Sequence, residues 1–176
     1  MKFLIHLLLM IACQVALFAA DTTSGADALN RWVGGKWVGS GEFVDSDYSK
    51  ANKVSGVTKC DWSPDHVFVV CDQDVDFGGT PMRDLAIYAV DPKTGHFFYY
   101  SVTPTGEKPQ AGTIEITKDG DRWVYPGSYE KNGKTIQFRT VNQFHGKDQV
   151  EWWSESSADG GKTWTKTGGG KETRQR

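Results

Sequence analysis

Gly35-Lys36-Trp37-Val38-Gly39-Ser40-Gly41-Glu42-Phe43 carries the clearest indication of fold in this chain. As a β-strand it would place Trp37, Gly39, Gly41 and Phe43 on one face, because side chains alternate along a strand. Glycine is uncommon inside strands and marks bends or the close approach of another group. The two glycines therefore favour a strand that coils tightly where a barrel closes, and the alternative is that they leave room for a ligand.

The rest of the chain contains about ten strand candidates separated by turn residues such as Asn132-Gly133. A short helical turn over 26–32 precedes them. The strands are predicted near 36–44, 53–62, 66–77, 82–90, 95–103, 110–118, 121–130, 134–144, 148–157 and 161–167. Their regular spacing without a long helical pattern predicts an all-β barrel or sandwich. Gly168-Gly169-Gly170 is interpreted as a flexible break after the last strand.

Alternation along these strands predicts which side chains face the interior. The inward set is apolar and includes Val54, Cys60, Trp62, Val67, Val69, Cys71, Val75, Phe77, Ile114, Ile116, Trp123, Tyr125, Tyr129, Ile136, Phe138, Val150 and Trp152. Asp72, Asp74 and Asp76 then point outward as a solvated row. An EF-hand is excluded there, because Phe77 and Arg83 occupy the positions that require Gly and Glu.

Residues 1–20 have the pattern of a secretory signal peptide, which leaves 21–176 as one barrel domain. Lys2 precedes an apolar core, and Ala19-Ala20 provides small residues for cleavage. The apolar run is too short to favour a membrane span. The protein is therefore predicted to be periplasmic or secreted, and the alternative is a lipoprotein-type site with Cys13 lipidated.

Cys60 and Cys71 flank the turn at Ser63-Pro64-Asp65-His66 almost symmetrically. In an antiparallel hairpin they would face each other, and an oxidising compartment favours a disulfide between them. The alternative is a pair of buried thiols.

The chain has 176 residues and a net charge of −2, with no basic run, which argues against nucleic acid or an anionic membrane as partner. It contains no recognisable catalytic, phosphate-binding or dinucleotide-binding motif. His66, His96 and His145 fall in turns at one end of a simple meander. A three-histidine metal or haem site is therefore geometrically possible, and the alternative is that these histidines face solvent.

The opposite end of the barrel would carry the long connection at 45–52. Beneath it, Phe43, Tyr125, Phe138 and Trp152 could line a cavity for a small apolar or amphipathic ligand, or they could simply fill the barrel. Non-catalytic ligand binding is the first functional hypothesis. A barrel that binds a partner through outer aromatic residues such as Tyr100 or Trp153 is another, and the sequence does not define an oligomeric state.

Several motifs resemble known families. The triplet Gly35-Lys36-Trp37 resembles the lipocalin and calycin signature, and its extension to Phe43 is similar to the opening of nitrobindin-like haem barrels. Cys60-Asp61-Trp62, Ile87-Tyr88-Ala89-Val90-Asp91 and the stretch from Ser156 to Trp164 resemble an exported bacterial family of lipocalin-like domains of unknown function. The segment from Ser157 to Trp164 also resembles the Asp-box turn of sialidase-type propellers.

The resemblance covers roughly 27–174 and implies a single up-and-down antiparallel barrel. It implies that Trp37 packs at the closed end beneath Arg174 as a cation–π pair. Nitrobindin-like proteins bind haem through a histidine near the end of the chain, whereas no histidine follows His145 here. No cofactor and no bound metal are therefore expected.

Overall fold

The computed structural model describes residues 25–46, 49–104, 109–117 and 119–176. The predicted signal peptide and Cys13 lie outside these ranges. The elements are α1 (Gly25–Leu29), β1 (Lys36–Phe43), β2 (Asn52–Trp62), β3 (Val69–Phe77), β4 (Pro81–Val90), β5 (Phe97–Val102), β6 (Gln110–Ile116), β7 (Arg122–Lys131), β8 (Lys134–Phe144), β9 (Gln149–Ser157) and β10 (Thr165–Gln175). In the described ranges, no helix is both long and apolar enough to cross a bilayer.

The ten strands form one closed antiparallel barrel. Each strand pairs with its neighbours in the sequence, and β1 pairs with β10 to close the cylinder. The expectation of an all-β, up-and-down antiparallel barrel of ten strands is confirmed. The β7–β8 hairpin shows how local sequence sets this topology: Asn132 and Gly133 both have positive φ, the conformation required by a tight two-residue turn.

The inward face follows the predicted alternation with one exception at the start of β3. Val69 and Cys71 are buried, as predicted, but Val67 lies in the loop before β3 and is 52% exposed. The inward assignment of Val67 is therefore wrong. Asp65 explains why the strand starts late, because its carboxylate accepts hydrogen bonds from Ser63 Oγ and the Val67 backbone N–H and holds this stretch as a turn.

The last strand is longer than predicted. β10 runs through the three glycines at 168–170, so the predicted bounds of 161–167 and the predicted flexible break are wrong. Gly168 lies opposite Phe43, and a Cβ there would lie 2.6 Å from the Phe43 ring. A Cβ on Gly170 would lie 2.8 Å from Trp152 Nε1. The glycines are therefore strand residues that let two large rings lie against the backbone.

One end of the barrel is closed by an aromatic core. Trp37 has no exposed surface, and its indole N–H donates to the Trp32 carbonyl at 3.0 Å. The Trp32 ring meets Trp37 and Phe144 edge-on, with centroid distances of 5.3 and 5.0 Å. Edge-to-face contacts of this kind stabilise an aromatic core beyond the burial of area alone. Helix α1 leads into this plug.

The disulfide predicted from the hairpin pattern is confirmed. Cys60 and Cys71 are directly opposite each other on β2 and β3, are both buried and are bonded to each other. The bond ties together two strands of the barrel wall beside the closed end.

The connection between β9 and β10 is a self-stabilised turn. The Asp159 carboxylate accepts hydrogen bonds from the Thr163 hydroxyl and from the backbone N–H groups of Lys162 and Thr163. These bonds, led by that from the Thr163 hydroxyl, lower the pKa of Asp159 to about 2. The Trp164 indole donates to the Gly161 carbonyl at 3.0 Å. The geometry is that of the rigid turn expected from the Asp-box resemblance.

Candidate functional site

The barrel holds a cavity of about 230 Å³ in its interior. Residues from eight of the ten strands line it, together with Trp32 from the segment before β1. The aromatic part of the lining is Trp32, Tyr88, Tyr99, Tyr125 and Phe138. The polar part includes Thr58, Gln73, Gln110, Asn142 and Glu172. The site therefore combines aromatic walls with a few polar groups, as small-molecule pockets commonly do.

A second, smaller space of about 130 Å³ adjoins the first. Thr58, Gln73 and Glu172 line both spaces, so these three side chains lie at their junction. The smaller space is bounded by Trp152 and by Gly39 and Gly56, which face each other across β1 and β2. Neither glycine carries a side chain that would fill it.

The residues predicted to line a cavity are divided between these features. Tyr125 and Phe138 line the larger space, and Trp152 lines the smaller one. Phe43 instead packs on Phe77 and Trp152, with centroid distances of 6.3 and 5.9 Å. Neither space is lined by a described residue of the 45–52 connection, and the smaller one is bordered by Gly39 and Ser40 of the first strand.

Gly39 has a specific role in this arrangement. A Cβ at this position would lie 2.3 Å from Cγ of Glu172 and 2.7 Å from the Lys171 carbonyl oxygen. The glycine therefore makes room for the Glu172 side chain to lie across β1 and reach the interior. A Cβ on Gly41 would likewise lie 2.6 Å from the Trp152 indole. The alternating glycines of β1 accommodate two side chains that border the cavity.

Glu172 is the principal polar group that the sequence analysis missed. Among the described residues, its carboxyl has neither a hydrogen bond nor an ion pair, although it lines both spaces. Burial raises its pKa to about 7. Its inward position could have been predicted, because Glu172 and Arg174 are two residues apart and lie on the same face of a strand. The sequence prediction ended the last strand before the glycines and so left Glu172 outside any strand.

Two further polar groups in the lining lack normal partners. The Tyr125 hydroxyl and Trp32 Nε1 are buried and make no hydrogen bond of normal geometry with any described residue. The side chains of Tyr88, Asn142 and Trp32 nevertheless lie close enough to the Tyr125 hydroxyl to affect its pKa. Burial raises the pKa of Tyr125 well above its usual value and that of Tyr88 to about 12.

A second carboxylate faces the interior from β4. Asp84 lies opposite Gln73 in the register, on the inward face. It accepts hydrogen bonds from Ser101 and Thr103 hydroxyls, each at 2.9 Å. Its charge and that of Glu172 both act on Tyr88, adding to the effect of burial on the pKa of that phenol. The interior therefore contains two acidic side chains.

The end of the barrel opposite the Trp37 plug carries a wide surface cleft. Its volume is about 770 Å³, and it is lined by Ser46, Ser49, Lys50, Lys131, Asn132, Lys134, Ile136 and Ala158. This is the region under the 45–52 connection to which the sequence pattern assigned an opening. Lys50 forms an exposed ion pair with Asp45 at 3.3 Å. Three lysines line the cleft, in contrast to the aromatic interior.

The turn histidines do not form a common site. His66 packs against Trp62 at a centroid distance of 5.9 Å, and His145 Nε2 lies 3.5 Å from Glu151. Within the part of the chain that the structure describes, no group of three or more His, Cys, Asp or Glu side chains could hold a metal ion.

The outer aromatic residues are placed differently from one another. Tyr100 is 44% exposed on β5, next to the exposed Phe98. Trp153 is half-buried, and the Arg122 guanidinium lies 5.2 Å from its ring.

Comparison with solved structures shows the same fold in other proteins. Rv2717c from M. tuberculosis superposes with a TM-score of 0.58 at 17% identity, over 89% of this chain and 100% of that one. The S-type phycobiliprotein lyase CPES from Guillardia theta gives a TM-score of 0.54 at 13% identity, over 87% of this chain and 93% of that one. No family model and no curated protein matches the sequence. At these identities the likeness shows the fold, a ten-stranded calycin-like barrel.

Proposed function

We propose that this chain is an exported β-barrel that binds one small molecule in its interior and does not catalyse a reaction. The observation that carries the proposal is the cavity of about 230 Å³ whose lining combines aromatic rings with the Tyr125 hydroxyl and the Glu172 carboxyl. A polar group of the bound molecule would hydrogen-bond to these two side chains, and its apolar body would contact the rings of Tyr88, Tyr99 and Phe138.

The size of the cavity sets the size of the molecule. An apolar cavity of about 150 Å³ is large enough to hold benzene. The space of about 230 Å³ thus suits a single ring with a short substituent, and the adjoining 130 Å³ allows a branch or a longer chain. One protein with the same fold is a phycobiliprotein lyase.

Export is part of the proposal. It is supported by the apolar segment at residues 1–20 and by the disulfide between Cys60 and Cys71, since disulfides persist in oxidising compartments. Disulfide bonding of these cysteines in protein taken from the periplasm or culture medium, with residues 1–20 removed, tests this part. A full-length chain retained in the cytoplasm would contradict it.

Native mass spectrometry of the purified protein tests ligand binding. Thr58 is buried and lines both spaces, so Thr58→Phe fills their junction. Thr173→Phe is the matched control, because Thr173 is exposed on the outer face of β10. We expect a discrete added mass in the wild type and in Thr173→Phe, and its loss in Thr58→Phe. The mass of the bare chain in all three proteins would contradict the proposal.

A further inference from the structure

Few charged side chains of the described strands face the interior of the barrel, and the one that lines the cavity is acidic. Among the residues of the ten strands, all of which the structure describes, the inward-facing charged side chains are Asp84, Lys131, Lys134, Glu172 and Arg174. Lys131 and Lys134 are exposed at the β7–β8 turn, on the rim of the lysine-lined cleft. Asp84 and Arg174 face the interior but do not line either space, so Glu172 is the one charged side chain among the described lining residues.

Arg174 does not neutralise these carboxyls. Its guanidinium carbon lies 4.5 Å from the centroid of the Trp37 ring, in the closed end. Its terminal nitrogens donate to the backbone carbonyls of Arg31, Val33 and Gly34. Asp84 is satisfied by Ser101 and Thr103. Glu172 is the interior carboxyl that is left without a partner among the described residues.

We infer that the ligand of this cavity is a small protonated amine with an aromatic or similarly apolar body, and that Glu172 binds its ammonium group. The inference rests on the proposed function and names the class of ligand. An ammonium ion beside Glu172 would provide the missing counter-charge and hydrogen-bond donors. The Tyr88, Tyr99 and Tyr125 rings that surround the same space favour a cation as well, because aromatic faces attract positive charge.

Other charge states of the ligand fit less well. A carboxylate would be repelled by both Glu172 and Asp84. A wholly apolar molecule would leave the Glu172 carboxyl, which lines both spaces, without a hydrogen-bond donor, which is unfavourable. A protonated amine can donate to the Glu172 carboxylate and to the Tyr125 oxygen at the same time.

Three probes of similar shape separate these cases: 2-phenylethylamine, 2-phenylethanol and 3-phenylpropionate. Binding is measured by isothermal titration calorimetry at about pH 8, where the amine is protonated and Glu172 is mostly ionised. We expect the amine to bind at least tenfold more tightly than the alcohol, and the carboxylate to bind most weakly. Glu172→Gln should weaken amine binding at least tenfold and leave alcohol binding unchanged.

Glu115→Gln is the matched control, because Glu115 is exposed on the outer face of β6. It should leave all three affinities unchanged. Equal affinities for amine and alcohol, or an unchanged amine affinity in Glu172→Gln, would overturn the inference while the barrel remained a ligand-binding protein. Failure of all three probes to bind the wild type at millimolar concentration would contradict the proposed function itself.

A pH series on the wild type gives a readout that needs no variant. Amine affinity should rise as Glu172 ionises, whereas alcohol affinity should not. The other titratable groups at inward-facing positions are Asp84 and Tyr88 on β4, Tyr99 on β5, Tyr125, Tyr129 and Lys131 on β7, Lys134 on β8 and Arg174 on β10. Burial raises the pKa values of Tyr88, Tyr99 and Tyr125, so these three remain neutral throughout the series. A flat amine profile between about pH 5 and pH 8 would also overturn the inference.

Discussion

Arg174 lies over the indole of Trp37, with its guanidinium carbon 4.5 Å from the ring centroid, and the two residues are register partners on β10 and β1. The same guanidinium donates to three backbone carbonyls of the segment that leads from α1 into β1. One side chain therefore joins the last strand, the first strand and the aromatic plug. This contact joins β1 to β10, the strand pair that closes the barrel, and it also covers the aromatic plug at the closed end.

Removing this guanidinium should destabilise the protein. We expect Arg174→Met to lower the free energy of unfolding by about 3 kcal/mol, because three carbonyls lose a charged donor together with the cation–π contact. Arg174→Lys should cost less, since it keeps the charge but lacks the planar fork. Urea denaturation measures both. The control is Arg176→Met, which removes an exposed side chain and should change stability by less than about 0.5 kcal/mol. Similar losses in Arg174→Met and Arg176→Met would contradict this role.

The disulfide should contribute through the unfolded state. Cys60 and Cys71 are separated by 11 positions, and closing a loop of this length is worth about 3 kcal/mol on the chain-entropy model. Reduction with dithiothreitol is therefore expected to lower the unfolding free energy by about that amount. The double variant Cys60→Ala/Cys71→Ala should not respond to the reductant. A wild-type protein that is equally stable before and after complete reduction would show that the bond is not stabilising.

Substitution of Gly39 should disturb the cavity wall. In Gly39→Ala the new methyl group would meet both Glu172 Cγ and the Lys171 carbonyl, and the backbone atom cannot rotate away. We expect a loss of about 2 kcal/mol, typical of overpacking. Ser40→Ala, on the exposed face of the same strand, serves as the control and should stay within about 0.5 kcal/mol of the wild type. The stability of both variants is measured by thermal or urea denaturation. Equal stability of Gly39→Ala and Ser40→Ala would exclude the proposed steric role.

Stability should decrease as pH rises from mildly acidic values. Burial raises the pKa of Glu172 from 4.5 to about 7, so the native state keeps a proton that the unfolded chain releases. The stabilisation is fully present below pH 4.5 and is lost as pH rises through about 7. The total change is about 3 kcal/mol at most. Urea denaturation at about pH 5 and pH 8 should show this loss in the wild type and in Glu115→Gln. Glu172→Gln should lack it, and a variant that retained the full slope would assign the titration to another group.

Much of the architecture could be read from local patterns. Alternation of side chains and glycine-containing turns located the strands, and the near symmetry of Cys60 and Cys71 about a turn predicted their pairing. These predictions succeeded because strand parity and hairpin geometry depend on neighbours in the sequence. Val67 was misassigned, since Asp65 holds the residues before β3 in a turn. Gly168 and Gly170 were misread, because their strand conformation depends on the rings of Phe43 and Trp152 from distant strands.

The chain order of polar and apolar residues thus specifies a ten-stranded barrel with a tryptophan near the start of β1. It does not specify the contents of the barrel. Closure of β1 on β10 brings Gly39 beside Glu172 and places that carboxyl among the rings of Tyr88 and Tyr125. These residues are far apart in the sequence, and neither periodicity nor a short motif connects them. The charge and shape of the interior are set only when the barrel closes, because each interior side chain then contacts residues from several different strands.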